Sequence, residues 1–150
     1  FASNADQLSE LVRRVDQGVP AAKAVTDVSP AVLDTIQRYD IKPYSEFSRP
    51  RVPKGTPVHH LVEKRFFDQL GFATKDEAVT SILSTYVDSA HHTEITQAIR
   101  RQIPIGEGTL SASPQQVWNV HKQVYNQYGH DDWAEVIWEV YFQHLPDVTK

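Results

Sequence analysis

The chain has 150 residues, of which 40% are hydrophobic, and its 19 acidic and 15 basic residues give a net charge of −4. This size and apolar content suffice for one compact domain. The negative net charge argues against a surface that is basic overall and would attract nucleic acid over its whole area. Cysteine is absent, which excludes disulfides and thiolate metal sites, and the sequence predicts neither a signal peptide nor a membrane-spanning segment.

The first third of the chain is predicted to be helical and then extended. One amphipathic helix is expected from Leu8 to Val15, and a second begins at Ser29-Pro30, a pair favoured at helix N-termini. Residues 41–57 contain four prolines and are predicted to form an extended connector. We therefore divide the chain into an N-terminal helical segment with its connector (1–56) and a functional region with C-terminal helices (57–150), which together form one compact unit.

A histidine doublet follows the connector. His59-His60 comes directly after the extended formers Pro57-Val58, and the apolar residues behind it predict a short amphipathic helix that ends at Gly71. Imidazole is both a common metal ligand and a base near neutral pH, so two adjacent histidines can divide those tasks. The doublet is the feature of the sequence that core packing explains least.

A second doublet begins the next helix. Residues 72–87 are rich in β-branched side chains and predict one or two short strands. His91-His92 then follows Asp88, a predicted N-cap, in a helix that ends at Pro104. His92 shares a helical face with Ile95, Thr96 and Ile99 and is expected to point inward or along a cleft. His91 is expected to point aside and to be structural.

The C-terminal third predicts two more helices. One begins at Ser113-Pro114 and ends at Gly129, and the other covers Trp133 to Tyr141. Aromatic side chains at this spacing are expected in the core rather than on a base-stacking surface. The remaining histidines are interpreted as surface or hydrogen-bonded core residues; they are His121, His130 and His144. The expected fold is α+β, mainly helical, with a small β-hairpin.

These motifs, in this order, resemble the His-Me finger (HNH/endonuclease VII-like) nuclease domains of bacterial polymorphic or contact-dependent toxins. The matching runs are His59-His60-Leu-Val-Glu-Lys-Arg-Phe, His91-His92-Thr-Glu-Ile-Thr-Gln-Ala-Ile-Arg100-Arg101-Gln-Ile-Pro104-Ile-Gly106, and Gln115-Gln116-Val-Trp118 with Val-Tyr125. They lie between about residues 57 and 128, roughly half of the chain. The resemblance implies a ββα-metal core flanked by helices.

The resemblance also implies roles for the histidines. His59 and His92 would be ligands of one divalent metal ion, with Mg, Mn, Zn and Ni as the open choices, and His60 would be the general base. The middle asparagine of a strict HNH pattern is missing, and Thr96 stands where some members have a third histidine. The site therefore resembles variants with two protein ligands, in which water and phosphate oxygens complete the shell.

Charged residues near the doublets suit phosphodiester chemistry. Glu63 is predicted to orient a histidine or to complete the outer shell of the metal, and a solvated helix start is the alternative. Four basic side chains are predicted to hold phosphates: Lys64, Arg65, Arg100 and Arg101. Residues 49–65 carry five basic residues and one acidic residue, Glu63, so phosphates would meet a local positive field there. The alternative is that this stretch is only a solvated linker.

The sequence thus predicts a metal-dependent endonuclease that hydrolyses phosphodiester bonds, and DNA is favoured over RNA as its substrate. The resemblance implies a secreted or translocated effector that acts in the cytoplasm of a target cell, together with a cognate immunity protein. The alternative is a non-catalytic helical interaction module whose histidines are structural or bind a structural metal.

Overall fold

A computed structural model of the protein describes residues 28–47, 53–67, 69–71 and 82–150. The helices there are α1 (Pro30–Arg38), α2 (Ser89–Gln102), α3 (Glu107–Ser111), α4 (Pro114–Gln127) and α5 (Asp131–Val140). The strands are β1 (Lys42–Pro43), β2 (Val58–His60) and β3 (Leu83–Tyr86). Short 3-10 turns cover Tyr44–Glu46, Lys64–Phe66 and Phe142–His144. The α+β, mainly helical class is confirmed.

Three helices begin where the sequence predicts, because each start is fixed by a local cap. Ser29, Asp88 and Ser113 accept hydrogen bonds from backbone N–H groups in the first turns of α1, α2 and α4. Ser29 also donates from its N–H and its hydroxyl to the Glu139 carboxylate, both at 2.7 Å, which ties α1 to α5. The helix predicted from Leu8 to Val15 lies outside the described residues.

The strands form one antiparallel sheet with β3 in the centre and β1 and β2 at its edges. In the register of β2 on β3, His59 lies opposite Thr85 and His60 lies opposite Ser84. β1 falls inside the segment predicted to be only a connector, and its Pro43 is tolerated because it lies in an edge strand. Residues 72–81, where a further strand was an option, lie outside the described part of the chain.

The helix predicted directly after His60 is wrong over the described residues. Glu63 has an extended backbone (φ −59°, ψ 131°), so no helix can begin before Lys64, and only a 3-10 turn follows. The apolar residues that produced the helical pattern are nevertheless buried; they are Leu61, Val62, Phe66, Phe67 and Leu70. This segment therefore buries its apolar side chains by turning back on the core rather than by presenting one face of a helix.

The core lies between the sheet and the helices. α4 packs on α5, α2 packs on α4, and α1 packs on α5. The predicted aromatic core is confirmed, since the fully buried large side chains include Trp118, Tyr125, Trp133 and Tyr141. β1 and α1 belong to this same sheet and core, across the division placed at residue 56. Over the described residues, no helix is long and apolar enough to cross a membrane.

Candidate metal and catalytic site

Most of the predicted site residues line one cavity of about 430 Å³ between β2, the turn after it and α2. Its lining residues are Val58, His59, His60, Glu63, Lys64, Arg65, His92, Thr96, Arg100 and Ile105. Residues from two segments about thirty positions apart in the chain thus meet in one place. Arg101 is exposed on α2 and is not among the lining residues.

His59 and His92 face each other across the floor of the cavity. Their Nδ1 atoms are 3.2 Å apart, and the His59 side chain is almost fully buried. On the other side of the His59 ring, Nε2 lies 2.9 Å from the hydroxyl of Tyr125, which donates its own proton to the carbonyl oxygen of Leu61. The Tyr125 oxygen therefore accepts from His59 Nε2–H, and the lone pair of His59 Nδ1 faces His92 Nδ1, from which it can accept a hydrogen bond.

Both imidazoles are held in the neutral form that binds metal ions. Burial lowers the pKa of His59 well below its usual value, and the neighbouring His92 lowers it further. Burial also lowers the pKa of His92, and Arg100 adds to that effect, while the Glu63 carboxylate acts in the opposite direction. At neutral pH neither ring is protonated to the positively charged imidazolium, so a cation would not have to displace a proton from a charged ring.

The pair fits one divalent cation by distance and by donor chemistry. Two imidazole nitrogens bound about 2.0–2.1 Å from one tetrahedral ion lie about 3.3–3.4 Å apart, close to the 3.2 Å between these Nδ1 atoms. Imidazole suits zinc and nickel better than magnesium. In the described part of the chain no set of three or more His, Cys, Asp and Glu side chains converges on a metal position.

His60 is oriented toward the same cavity by the central strand. Its Nδ1 lies 2.9 Å from Ser84 Oγ, and the Ser84 hydroxyl donates to the carbonyl oxygen of Ile82. A carbonyl oxygen only accepts, so Oγ accepts from His60 Nδ1–H and Nε2 is left as the basic nitrogen. Burial, with Lys64 and His92 adding charge repulsion, lowers the pKa of His60 to about 4, which keeps the ring neutral.

Glu63 and Arg65 form an ion pair in the cavity wall. Arg65 Nε donates to Glu63 Oε2 at 2.5 Å, and both side chains are only about 15% exposed. The guanidinium also donates to Ile103 O, Pro104 O and Thr109 Oγ1. Arg65 therefore clamps the end of α2 and the start of α3 to the turn after β2. Its predicted contact with phosphate stays a prediction, and these four hydrogen bonds compete with it.

The exposed cations of the cavity are Lys64 and Arg100. Both line it, and their charges lower the pKa of His60 and of His92 respectively. Their predicted contacts with phosphate stay a prediction. Thr96 also lines the cavity, one helical turn after His92.

The other described histidines make contacts away from this pair. His91 Nε2 lies 2.6 Å from His130 Nε2, and the His130 ring stacks on Trp133 with 3.5 Å between centroids. His121 is fully buried and donates from Nδ1 to Val117 O. His144 Nε2 lies 2.8 Å from the carbonyl oxygen of Glu139. The structural roles that the sequence analysis gives to these histidines stay a prediction.

Sequence reasoning missed the residues behind the histidines. Tyr125 fixes His59, Ser84 fixes His60, and the Trp133 ring stacks on His59 at 5.7 Å between centroids. Tyr125 and Trp133 belong to stripes that predict core, and Ser84 lies in a β-branched strand. No local pattern distinguishes such partners from ordinary core residues.

Comparison of the chain with protein-family models, with curated proteins and with solved structures gives no match. The argument for function therefore rests on the residues of the site and on the motif resemblance.

Proposed function

We propose that the chain is a metal-dependent endonuclease domain of the His-Me finger type, which hydrolyses phosphodiester bonds, with DNA expected before RNA. The observation that carries the proposal is the facing pair of His59 and His92 beside His60, in a cavity lined by the exposed cations Lys64 and Arg100. A ligand pair, a neutral base and phosphate-binding cations are the parts that phosphodiester hydrolysis needs.

The chain order supports a ββα-metal core. β2 carries the doublet at its end, β3 pairs antiparallel with it, and α2 follows β3 with His92 in its first turn. This strand–strand–helix order is the one the motif resemblance implies. The Asp88 cap starts α2 next to β3, which brings His92 to within contact of His59.

His59 and His92 would hold one divalent ion through their Nδ1 atoms. When bound there, the chemistry it supplies is neutralisation of the charge that develops on the phosphate and on the leaving oxygen. Glu63 and Arg65 cancel each other's charge in the wall, so they shape the cavity rather than compete for the cation.

His60 is the proposed general base. Its Nε2 takes a proton from the attacking water, while Nδ1–H stays fixed on Ser84 and keeps the ring aimed into the cavity. Lys64 and Arg100, which both line the cavity, would bind phosphate oxygens of the substrate. The His60 ring also packs edge-to-face with the Tyr44 ring, at 4.9 Å between centroids, which limits rotation of the base.

As an effector the protein would act in the cytoplasm of a target cell after secretion or translocation, and a producing cell would need an immunity protein. The basic stretch from residue 49 to 65 is the proposed contact for an acidic inhibitor, because it ends in the cavity. Within it Lys54 is exposed, whereas Arg49 and Arg51 lie outside the described residues. The motif resemblance and this charge distribution support the partner.

The test is cleavage of supercoiled plasmid and of RNA by the purified protein, with Mn²⁺ or Zn²⁺ and with chelator. We expect His60→Ala to lower the cleavage rate by about 10²–10⁴-fold while Mn²⁺ still binds. His59→Ala and His92→Ala should each weaken metal binding. The matched control is His91→Ala, next to His92 on α2, which should leave both measurements nearly unchanged. Near-normal cutting by the His60 variant would refute the assignment.

A second candidate, a non-catalytic interaction module, is favoured by one observation. Ile105 and Leu110 are 65% and 77% exposed, and Ile105 lines the cavity rim, so an apolar partner could cover this side. Absence of cleavage of DNA and of RNA with every metal tested would favour this function.

A further inference from the structure

We propose that Tyr125 is a positioning residue for the metal pair: its hydroxyl donates to the Leu61 carbonyl and accepts from His59, and so keeps the His59 proton on Nε2 and the Nδ1 lone pair facing His92. The inference rests on the proposed function, since it concerns the same site. Tyr125 comes from α4, which contributes no residue to the lining of the cavity.

The first step of the argument concerns the proton of the tyrosine. The hydroxyl oxygen of Tyr125 lies within hydrogen-bond distance of Leu61 O, and such a contact between two oxygens needs a proton between them. A carbonyl oxygen has no proton to give, so the proton belongs to Tyr125. The same hydroxyl oxygen is 2.9 Å from His59 Nε2, where it can only accept.

The second step concerns the carbonyl at the end of the relay. Leu61 N–H donates to Leu83 O at 3.0 Å, beyond the last residue pair of β2 and β3. This bond anchors Leu61 at the end of the sheet, and from there its carbonyl oxygen accepts the proton of the Tyr125 hydroxyl. Leu61 and Tyr125 are fully buried, which leaves no solvent to replace either partner.

The third step concerns the orientation of the His59 ring. The ring lies nearly parallel to Trp133, at 25° and 5.7 Å, and nearly perpendicular to Tyr125, at 82° and 6.1 Å. With the ring plane held by Trp133, the Nε2–H contact alone determines which edge is presented to His92. The Nδ1 lone pair then points at His92 Nδ1.

Removal of the hydroxyl has a specific consequence. In a Tyr125→Phe variant the His59 Nε2–H would be a buried donor without a partner, and the ring can avoid this cost by moving its proton to Nδ1. That proton would occupy the lone pair that faces His92. Loss of a partner behind a metal ligand typically weakens metal affinity by about 10–100-fold, and we expect a loss in this range.

The test compares Tyr125→Phe with Tyr141→Phe by calorimetric titration with Zn²⁺ and with Mn²⁺, without nucleic acid. Tyr141 is a matched control, because it is also fully buried and its hydroxyl accepts from Leu83 N–H at 3.2 Å, outside the cavity. Each variant loses one buried hydroxyl and keeps the packing of its aromatic ring. Only Tyr125→Phe should bind the ions about 10–100-fold more weakly.

A second measurement needs no variant. Long-range nitrogen–proton NMR spectra of the wild-type protein should show His59 protonated at Nε2 and its Nδ1 without a proton. Equal ion affinity of the two variants, His59 protonated at Nδ1, or a wild-type protein that binds neither ion would each overturn the proposal. Failure of the nuclease function is a separate outcome. If the two variants differ in ion affinity but the protein cuts no nucleic acid, the positioning role of Tyr125 stands and the proposed nuclease function is refuted.

Discussion

Replacement of Arg65 by methionine should destabilise the protein strongly, although an arginine in a basic cavity would ordinarily suggest a contact with an anionic ligand. Arg65 Nε donates to Glu63 at 2.5 Å, and the guanidinium donates to Ile103 O at 2.7 Å and to Thr109 Oγ1 at 2.6 Å. Methionine retains the apolar contact with the Phe66 ring, over which the guanidinium lies at 4.1 Å. The variant therefore isolates the loss of charge and hydrogen bonds.

The magnitude follows from what remains after the substitution. Removal of one partner of a buried ion pair costs about 3–5 kcal/mol, because the other charge stays buried. Glu63 is 14% exposed and its Oε1 already has no hydrogen-bond partner, so its carboxylate cannot easily find another donor. The slight exposure of both side chains places the expected loss at about 3–4 kcal/mol, out of a total stability of about 5–15 kcal/mol.

The assay is urea unfolding of Arg65→Met, Glu63→Gln and the double variant. Glutamine removes the charge that the first substitution leaves unpaired, so the double variant should lose less stability than the two single losses combined, by about 2 kcal/mol. Arg101→Met, which changes an exposed arginine, is the control and should alter stability by less than about 0.5 kcal/mol. A loss below about 1 kcal/mol for Arg65→Met, or additive losses, would refute the clamp.

Three further predictions test other parts of the site. Lys64→Gln and Arg100→Gln should weaken DNA binding and each lower its salt slope by about one, measured by fluorescence anisotropy across a salt series. Ser84→Ala should slow plasmid cleavage while Mn²⁺ affinity by calorimetry is unchanged, because the Nδ1–H of His60 loses its acceptor. Burial lowers the pKa of His121, so the unfolded chain takes up a proton first as pH falls below about 6.5, and stability decreases with it. His121→Leu should make the free energy of unfolding depend less on pH. Its slope against pH, measured by urea unfolding between pH 5 and 8, should fall by the equivalent of up to about one bound proton.

The sequence predicted those parts of the fold that depend on neighbours along the chain. Caps at Ser29, Asp88 and Ser113 set helix starts within a few residues, so their signals are local. The inward direction of His92 follows from helical periodicity, and Ile95 on the same face is fully buried, as this direction requires. The helix expected after His60 failed because apolar spacing alone cannot distinguish a helix from a buried turn.

Contacts between distant segments could not be predicted. Tyr125 is 66 residues from His59, and their contact exists only because α4 packs behind β2. Two of the acceptors of Arg65 are main-chain carbonyl oxygens, at Ile103 and Pro104, and a carbonyl oxygen leaves no mark in a sequence because every residue has one. Two-residue strands such as β1 are likewise decided by the strand they pair with rather than by their own composition.

The charge of the cavity follows from pairing inside the protein rather than from net charge. Among the described residues Glu63 is the only carboxylate that lines the cavity, and it is paired with Arg65; the lining histidines are neutral at pH 7 because burial lowers their pKa values. The remaining charges, Lys64 and Arg100, are both positive. Many acidic residues lie elsewhere, including four on α5: Asp131, Asp132, Glu135 and Glu139. A chain with a net charge of −4 can therefore present a positive cavity to a phosphate backbone. Salt screens distant charges more than near ones, so the dependence of binding on ionic strength measures the field of the cavity rather than the net charge of the chain.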